Sequence, residues 1–271
     1  KIFIHMNYLE KNNNSNKTAF VVGGLGAIGF EVSRALYDSG AKVVIVDVKN
    51  VDKKIKLILK KYQFEYYKID YQGNNNLNKH LKKIFRKYST PDIFVNCSYP
   101  KTKDWKLNSF KNIKLEELKK NISLHLISFC WIAKQIADEM KRMKKNGSII
   151  QLGSIYGLQG QDMNLYKNTN LKENVSYSII KGGIINFTRQ MASYYGKHKI
   201  RVNNICPGGV KNIKDKNQKS KTFMNRYNSK TPLGKMAETS DVASAVLFLS
   251  SDTSSHITGQ TLIIDGGISI I

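Results

Sequence analysis

Tyr177 and Lys181 stand four residues apart in the stretch Val175-Ser-Tyr-Ser-Ile-Ile-Lys-Gly-Gly-Ile-Ile-Asn-Phe187. On a helix that spacing puts a phenol and an ammonium on one face. A phenol with a free pKa near ~10 is a poor proton shuttle at neutral pH, and a cation held beside it favours the phenolate. Such a pair suits general acid–base work. The spacing alone carries little weight in so lysine-rich a chain. Tyr99 with Lys103 and Tyr195 with Lys199 repeat it, and a helix-surface pair explains any one of them. Context separates the three: Tyr177 follows an apolar run that closes on a serine, Ser148-Ile-Ile-Gln-Leu-Gly-Ser154, and Lys181 leads into two glycines and an apolar stretch.

A second candidate site lies upstream, in Val21-Val-Gly-Gly-Leu-Gly-Ala-Ile-Gly29. Gly24, Gly26 and Gly29 have the spacing of a dinucleotide fingerprint, with Gly23 and Ile28 completing the candidate loop. Glycines there permit a tight turn and let the backbone approach a pyrophosphate at a helix N-terminus. Asp47 closes the next apolar run, 18 residues after Gly29. A carboxylate at that point can bind both hydroxyls of an adenosine ribose and repels a 2′-phosphate, which favours NAD; Lys49 nearby keeps NADP open. The plainer alternatives are an ordinary turn for the glycines and a helix cap for Asp47.

The elements that must position these groups alternate along the chain. Strands are expected at 18–22, 41–47, 64–69, 92–96, 148–152, 200–205 and 261–264. Helices are expected at 27–39, 51–61, 75–88, 115–144, 175–196 and 239–250. Strands alternating with helices mean βαβ units and a parallel sheet covered on both faces, here a doubly wound Rossmann fold of seven strands in one domain. The 271 residues suffice for one large α/β domain. Residues 1–16 end in a polar, low-complexity stretch and are expected to form a flexible extension outside the fold.

The net charge of +24 raises nucleic-acid binding, but the excess is lysine rather than arginine and is spread along the chain, so it reads as a composition bias. A basic surface favours an anionic small ligand. No apolar run approaches the ~20 residues that span a bilayer. Cys97, Cys130 and Cys206 show no paired metal spacing, and reduced buried thiols in a cytoplasmic protein without a metal are expected.

Taken in order, these motifs over residues 17–271 resemble the short-chain dehydrogenase/reductase family. The likeness rests on the glycine loop at 23–29, Asp70 after the third strand, Val95-Asn96 after the fourth and Ser154 after the fifth. It continues through Tyr177 and Lys181, Asn204-Ile-Cys-Pro-Gly208 and Thr258-Gly-Gln-Thr-Leu-Ile-Ile-Asp-Gly-Gly267. Within the family, the stretches at 96–105 and 177–189 resemble bacterial flagellin modification oxidoreductases, which are associated with acidic surface sugars.

The resemblance implies an NAD(P)-dependent oxidoreductase acting on a hydroxyl or ketone, with a sugar derivative as leading substrate. A β-ketoacyl reductase, a general alcohol dehydrogenase and a dinucleotide-binding sensor without turnover are the other readings. It implies Tyr177 as acid/base, Lys181 as its cation and a ribose contact, and Ser154 as the substrate-oxygen partner. Asp70, Asn96, Pro207 and Gly208 are implied in cofactor binding. His125 falls where the family has a relay asparagine, and either a relay or a packed helix histidine suits it. Asn121 lies one turn earlier, and Asn212 stands where a threonine often binds the cofactor amide. Val22, Ala27 and Asn96-Cys97-Ser98-Tyr99 depart from the family's pattern.

Ser154 and Tyr177 are separated by an extra polar segment, 161–174, expected to loop over the substrate end as a specificity element or a passive insertion. Residues 211–230 correspond to a mobile substrate lid. The family also implies a dimer or tetramer through its long helices, with Cys130, Trp131 and Ile132 suited to such an interface.

Overall fold

The computed structural model describes residues 10–70, 76–169, 171–211 and 218–271; the side chains of 218–220 are not described. Seven strands form one parallel sheet in the order β3-β2-β1-β4-β5-β6-β7. They are β1 (Thr18–Val22), β2 (Lys42–Asp47), β3 (Glu65–Lys68), β4 (Ile93–Asn96), β5 (Gly147–Leu152), β6 (Ile200–Pro207) and β7 (Thr261–Ile264). The central strands β1 and β4 are near-continuous runs of apolar residues, as a sheet buried on both faces requires, and β5 is buried throughout though it carries Ser148 and Gln151.

Helices α1 (Ala27–Asp38), α2 (Lys53–Lys61) and α9 (Thr239–Ser250) cover one face. Helices α3 (Leu77–Tyr88), α5 (Ser128–Arg142) and α7 (Val175–Tyr195) cover the other. Val32, Leu36, Val242 and Val246 pack on the inward-facing residues of one side; Leu81, Ile84, Ile136 and Met140 do so on the other. The strand order reverses between β1 and β4, so their carboxyl ends open a crevice, the place where doubly wound sheets bind ligands.

The expected helix at 115–144 is divided. Helix α4 (Leu115–Asn121) runs into a π-helical turn, Ile122–Ile127, and then into α5. A 3.6-residue pattern does not reveal such a turn, because its wider winding adds a residue without breaking the apolar stripe. The expected lid region becomes helix α8 (Gln218–Lys230), while Asn212 and the rest of 212–217 lie outside the described residues. A short helix, α6 (Met163–Tyr166), forms inside the extra segment 161–174.

Residues 10–16 differ from the expected free extension. Asn14 is buried and donates its side-chain amide to the hydroxyls of Ser39 (3.0 Å) and Ser250 (3.4 Å). Those bonds tie the segment to the ends of α1 and α9, far apart in sequence, so composition gives no sign of them. Cys206 is buried as expected, whereas Cys97 and Cys130 are half-buried; all three are free thiols. Among the described residues no helix is long and apolar enough to cross a membrane, and no cluster could hold a metal. Of the three residues suited to an interface, Ile132 belongs to the core and Cys130 is half-buried, while Trp131 is exposed and donates to Asn78 (2.9 Å).

Candidate active site

The glycine loop turns sharply at the end of β1. Gly23 adopts φ +74°, a left-handed conformation that side chains disfavour, and a Cβ there would lie 2.8 Å from the Ser98 backbone. A Cβ on Gly29 would stand 2.2 Å from the Gly23 carbonyl oxygen, so helix and loop approach each other at a distance only glycine allows. Gly24 packs against Ile45, and Ile28 against the core. Helix α1 begins at Gly26 with no side-chain cap, leaving its first N–H groups open to an anion.

In front of this helix end lies a cleft of about 490 Å³, lined by Gly23, Gly26, Asp47, Asp70 and Tyr99 among others. Asp47 is buried at the end of β2. One carboxylate oxygen accepts from the Leu25 N–H (3.0 Å) and the other from the Lys49 N–H (3.3 Å). Each oxygen keeps a further lone pair for a ligand hydroxyl. The Lys49 ammonium donates to the Leu25 carbonyl (2.8 Å), which draws a cation to the same corner. A cradle that a Cβ would fill, an uncapped helix end and a carboxylate at the next strand fit a dinucleotide.

Asn96, buried at the end of β4, accepts from the Ser98 hydroxyl (2.7 Å) and shapes the loop that floors the cleft. Pro207 ends β6, and Gly208 follows it, where a Cβ would stand 2.4 Å from the Tyr227 hydroxyl. Neither of the last two lines the cleft itself.

The second group gathers at the carboxyl ends of β4, β5 and β6. Asn174 caps α7 by accepting from the Tyr177 N–H (2.9 Å), which places Tyr177 in the first turn. Ser154 follows β5; its hydroxyl accepts from the Tyr156 N–H (3.2 Å) and lies close enough to the Tyr177 phenol to act on its pKa. Lys181 is only 3% exposed; its ammonium donates to the Leu152 carbonyl (2.7 Å). It also lies 5.6, 5.7 and 6.0 Å from the ring centres of Tyr177, Phe129 and Tyr99, an aromatic cage that replaces part of its lost hydration. Tyr99 joins the two groups: it lines the glycine-loop cleft, and its ring meets that of Tyr177 edge-on at 5.8 Å.

The electrostatics differ from the sequence expectation. Burial pushes the Tyr177 phenol up to about 12, with the neighbouring Ser154 hydroxyl acting in the opposite sense and too weak to restore the ordinary value. Burial likewise lowers Lys181 to about 8. Desolvation penalises both charged forms and is the largest cause of each shift. Tyr177 is therefore a protonated acid at neutral pH.

His125 sits in the π turn with no exposed surface, its ring 5.5 Å from Tyr99 and 5.8 Å from Phe129. Burial, and then the Lys181 charge, hold its pKa well below the usual value, so it is neutral. Neither ring nitrogen has a hydrogen-bond partner in the protein. Asn121 is different in kind: it donates to Asn108 (3.2 Å) and to the Glu117 carbonyl (2.9 Å) and accepts from the Thr102 N–H (3.3 Å), so it is a fully engaged brace.

Three aromatic rings around Tyr177 escape a motif reading. Tyr99, Trp105 and Tyr156 meet it edge-on at 5.8, 6.3 and 6.5 Å. Tyr99 even entered the sequence argument as a chance partner of Lys103; no local signal marks a ring whose role depends on a loop folding back. The segment 161–174 closes on itself, with the Gln161 amide donating to the Asn174 carbonyl (3.3 Å) and accepting from the Asn174 N–H (3.2 Å). It brings the Tyr166 hydroxyl to that of Tyr156 (3.4 Å).

Comparison with known proteins places this geometry in context. The family profile described as enoyl-(acyl carrier protein) reductase matches residues 24–269. The chain is similar to post-translational flagellin modification protein A of Campylobacter coli, 28% identical over 258 residues that span 93% of this chain and 98% of that protein. It is similar to the 3-oxoacyl-(acyl-carrier-protein) reductase FabG of Chlamydia trachomatis serovar D, 30% identical over 257 residues, 93% of this chain and 97% of that one. The crystal structure of a short-chain dehydrogenase from Leptospira borgpetersenii with bound NAD+ superposes with a TM-score of 0.82 at 29% identity, covering 99% of this chain and 98% of that one.

The buried ammonium makes a prediction about the cofactor-free protein. Its depressed pKa means that the folded state carries the full cost of burial below about 8, and that stability rises with pH from there toward the unfolded value of 10.5. Replacing Lys181 by Met should therefore stabilise the protein at pH 7, by about 2 kcal/mol or roughly 5 °C. That gain should shrink across the same pH interval. Thermal unfolding of both proteins over pH 7–10 checks it, and a difference that does not change with pH counts against charge burial as the cause.

Proposed function

The chain belongs to the short-chain dehydrogenase/reductase family, and on that premise we propose that it moves a hydride between NAD and a hydroxyl or ketone carbon of an anionic sugar derivative destined for flagellin or surface-glycan modification. It is an oxidoreductase of that family. The observation that carries the proposal is the meeting, through Tyr99, of the glycine-loop cleft with the Ser154, Tyr177 and Lys181 group. The sugar assignment draws on the likeness to the flagellin modification protein, on the aromatic rings around Tyr177 and on the lysines of the cleft.

When bound, the nicotinamide supplies or accepts the hydride. The first turn of α1 and the Gly23–Gly29 loop would hold the pyrophosphate and Asp47 the adenosine ribose, with Asp70 on the cleft wall and Asn96, Pro207 and Gly208 supporting the site from the strand ends behind it. Ser154 donates to the substrate oxygen and orients it. Tyr177, protonated at neutral pH, gives its proton to that oxygen during reduction and takes it back during oxidation. The phenolate formed on proton loss lies beside the Lys181 ammonium in a dry, aromatic-lined setting, where their attraction is far stronger than in water. His125, neutral and with two unengaged nitrogens, passes the proton onward from the Lys181 side through water.

A second reading, reduction of a 3-oxoacyl thioester, is favoured by the 30% identity to the Chlamydia reductase. Turnover of acetoacetyl thioesters in preference to a sugar panel would select it.

Three substitutions test the assignment. Tyr177→Phe should lower kcat by at least about 10³-fold while NAD affinity, read by calorimetry, changes less than about twofold; retained turnover rejects the acid/base role. Asp47→Ala should weaken NAD by about tenfold and NADP much less, and equal losses reject the ribose contact. His125→Asn should keep most of kcat whereas His125→Leu should lose about tenfold or more, with solvent isotope effects marking the proton step; equal rates in the two variants remove the relay.

A further inference from the structure

Behind the Tyr156 ring lies a second cavity, of about 280 Å³. Four segments distant in sequence build it: the turn after Ser154, the α6 segment, the end of α8 and residues 268–271. Its floor is apolar, with Ile155 and Leu165 each 2% exposed and Ile268 closing one side. Its rim is polar and carries Gln159 and the Lys230–Asp162 ion pair. Tyr156 is the shared wall, its ring 6.5 Å from that of Tyr177 and its hydroxyl accepting from Tyr166 (3.4 Å).

Size and polarity together restrict the occupant. The volume falls just below the ~300–1,000 Å³ of pockets that hold whole small-molecule ligands, so the cavity suits a substituent better than a whole substrate. An apolar floor beneath a polar rim suits a group that is apolar at its tip and polar where it joins the parent molecule. The ion pair at the rim is half-exposed and contributes little to stability, so Lys230 is free to turn toward a carbonyl oxygen without cost to the fold.

We propose that this cavity is the subsite for an acyl substituent, joined to the substrate through an amide or ester whose carbonyl meets Gln159 and Lys230. The reacting carbon then lies on the Tyr177 side of Tyr156 and the acyl chain on the other. The proposal rests on the sugar reading above and deepens it: the substrate is an acylated amino sugar or sugar ester.

The test measures binding by calorimetry at saturating NAD+, with glucosamine and its N-acetyl, N-butanoyl and N-hexanoyl derivatives as probes. Affinity should rise about three- to fourfold per added methylene until the floor is filled. Gln159→Trp, at an exposed position on the rim, should abolish that dependence while the variant still binds NAD, which serves as its folding control. Flat affinity along the series, binding of none of the probes, or a chain-length dependence that survives Gln159→Trp each overturns the subsite. NADH formation on the same probes reports on the function separately. Turnover without chain-length dependence removes the subsite and keeps the sugar reading; chain-length-dependent binding without turnover does the reverse.

Discussion

Everything around the site is arranged about one buried ammonium. Lys181 has almost no exposed surface and lies between a strand-end carbonyl and three aromatic rings. Taking a charge out of water costs several kcal/mol, and a single carbonyl with cation–π contacts returns only part of it. The remaining cost appears as the lowered pKa of Lys181; His125, neutral first through its own burial, is held so further by repulsion from that charge. A site of this kind is held at the expense of stability, and the large apolar layers on both faces of the sheet supply the surplus that allows it.

The same dryness governs Tyr177. A phenol at a wet surface beside a lysine would lose its proton more easily; here burial holds it as an acid. Burial thus disfavours the charged form of both members of the pair. Polar side chains on the sheet edge share the setting. Asn96, Gln151 and Asn204 stand in register on β4, β5 and β6, all fully buried, and each has an amide atom without a protein partner. Such a row of incompletely paired polar groups is costly in a core.

Two segments distant in sequence, the extra segment 161–174 and helix α8, pack together beside Tyr156. Tyr166 of α6 packs on Phe223 of α8 (5.5 Å), and Phe223 on Tyr227 (6.0 Å), whose hydroxyl accepts from the Gly209 N–H (2.6 Å). Arg226 donates to the Lys167 carbonyl, and Lys230 pairs with Asp162. The extra segment, helix α8 and the end of β6 are therefore one packed unit.

How much of this was legible varies with the range of the interaction. The strands, the α1 and α7 helices and the glycine loop follow from local pattern, because a buried parallel strand, an amphipathic helix and a left-handed turn each impose their own residue types. The fingerprint at Gly24, Gly26 and Gly29 is of that kind, as is the capped start of α7. The π turn was hidden inside a continuous helical pattern, and Asn14 inside a polar stretch that reads as free. By itself the sequence determined the order of the elements, the dinucleotide-type turn and the identity of the phenol, hydroxyl and ammonium. Only the tertiary structure decided which rings enclose them, which second cavity adjoins them and which way their pKa values move. Burial and long-range packing belong to the folded surface as a whole, and no spacing along the chain encodes how much water a group will lose.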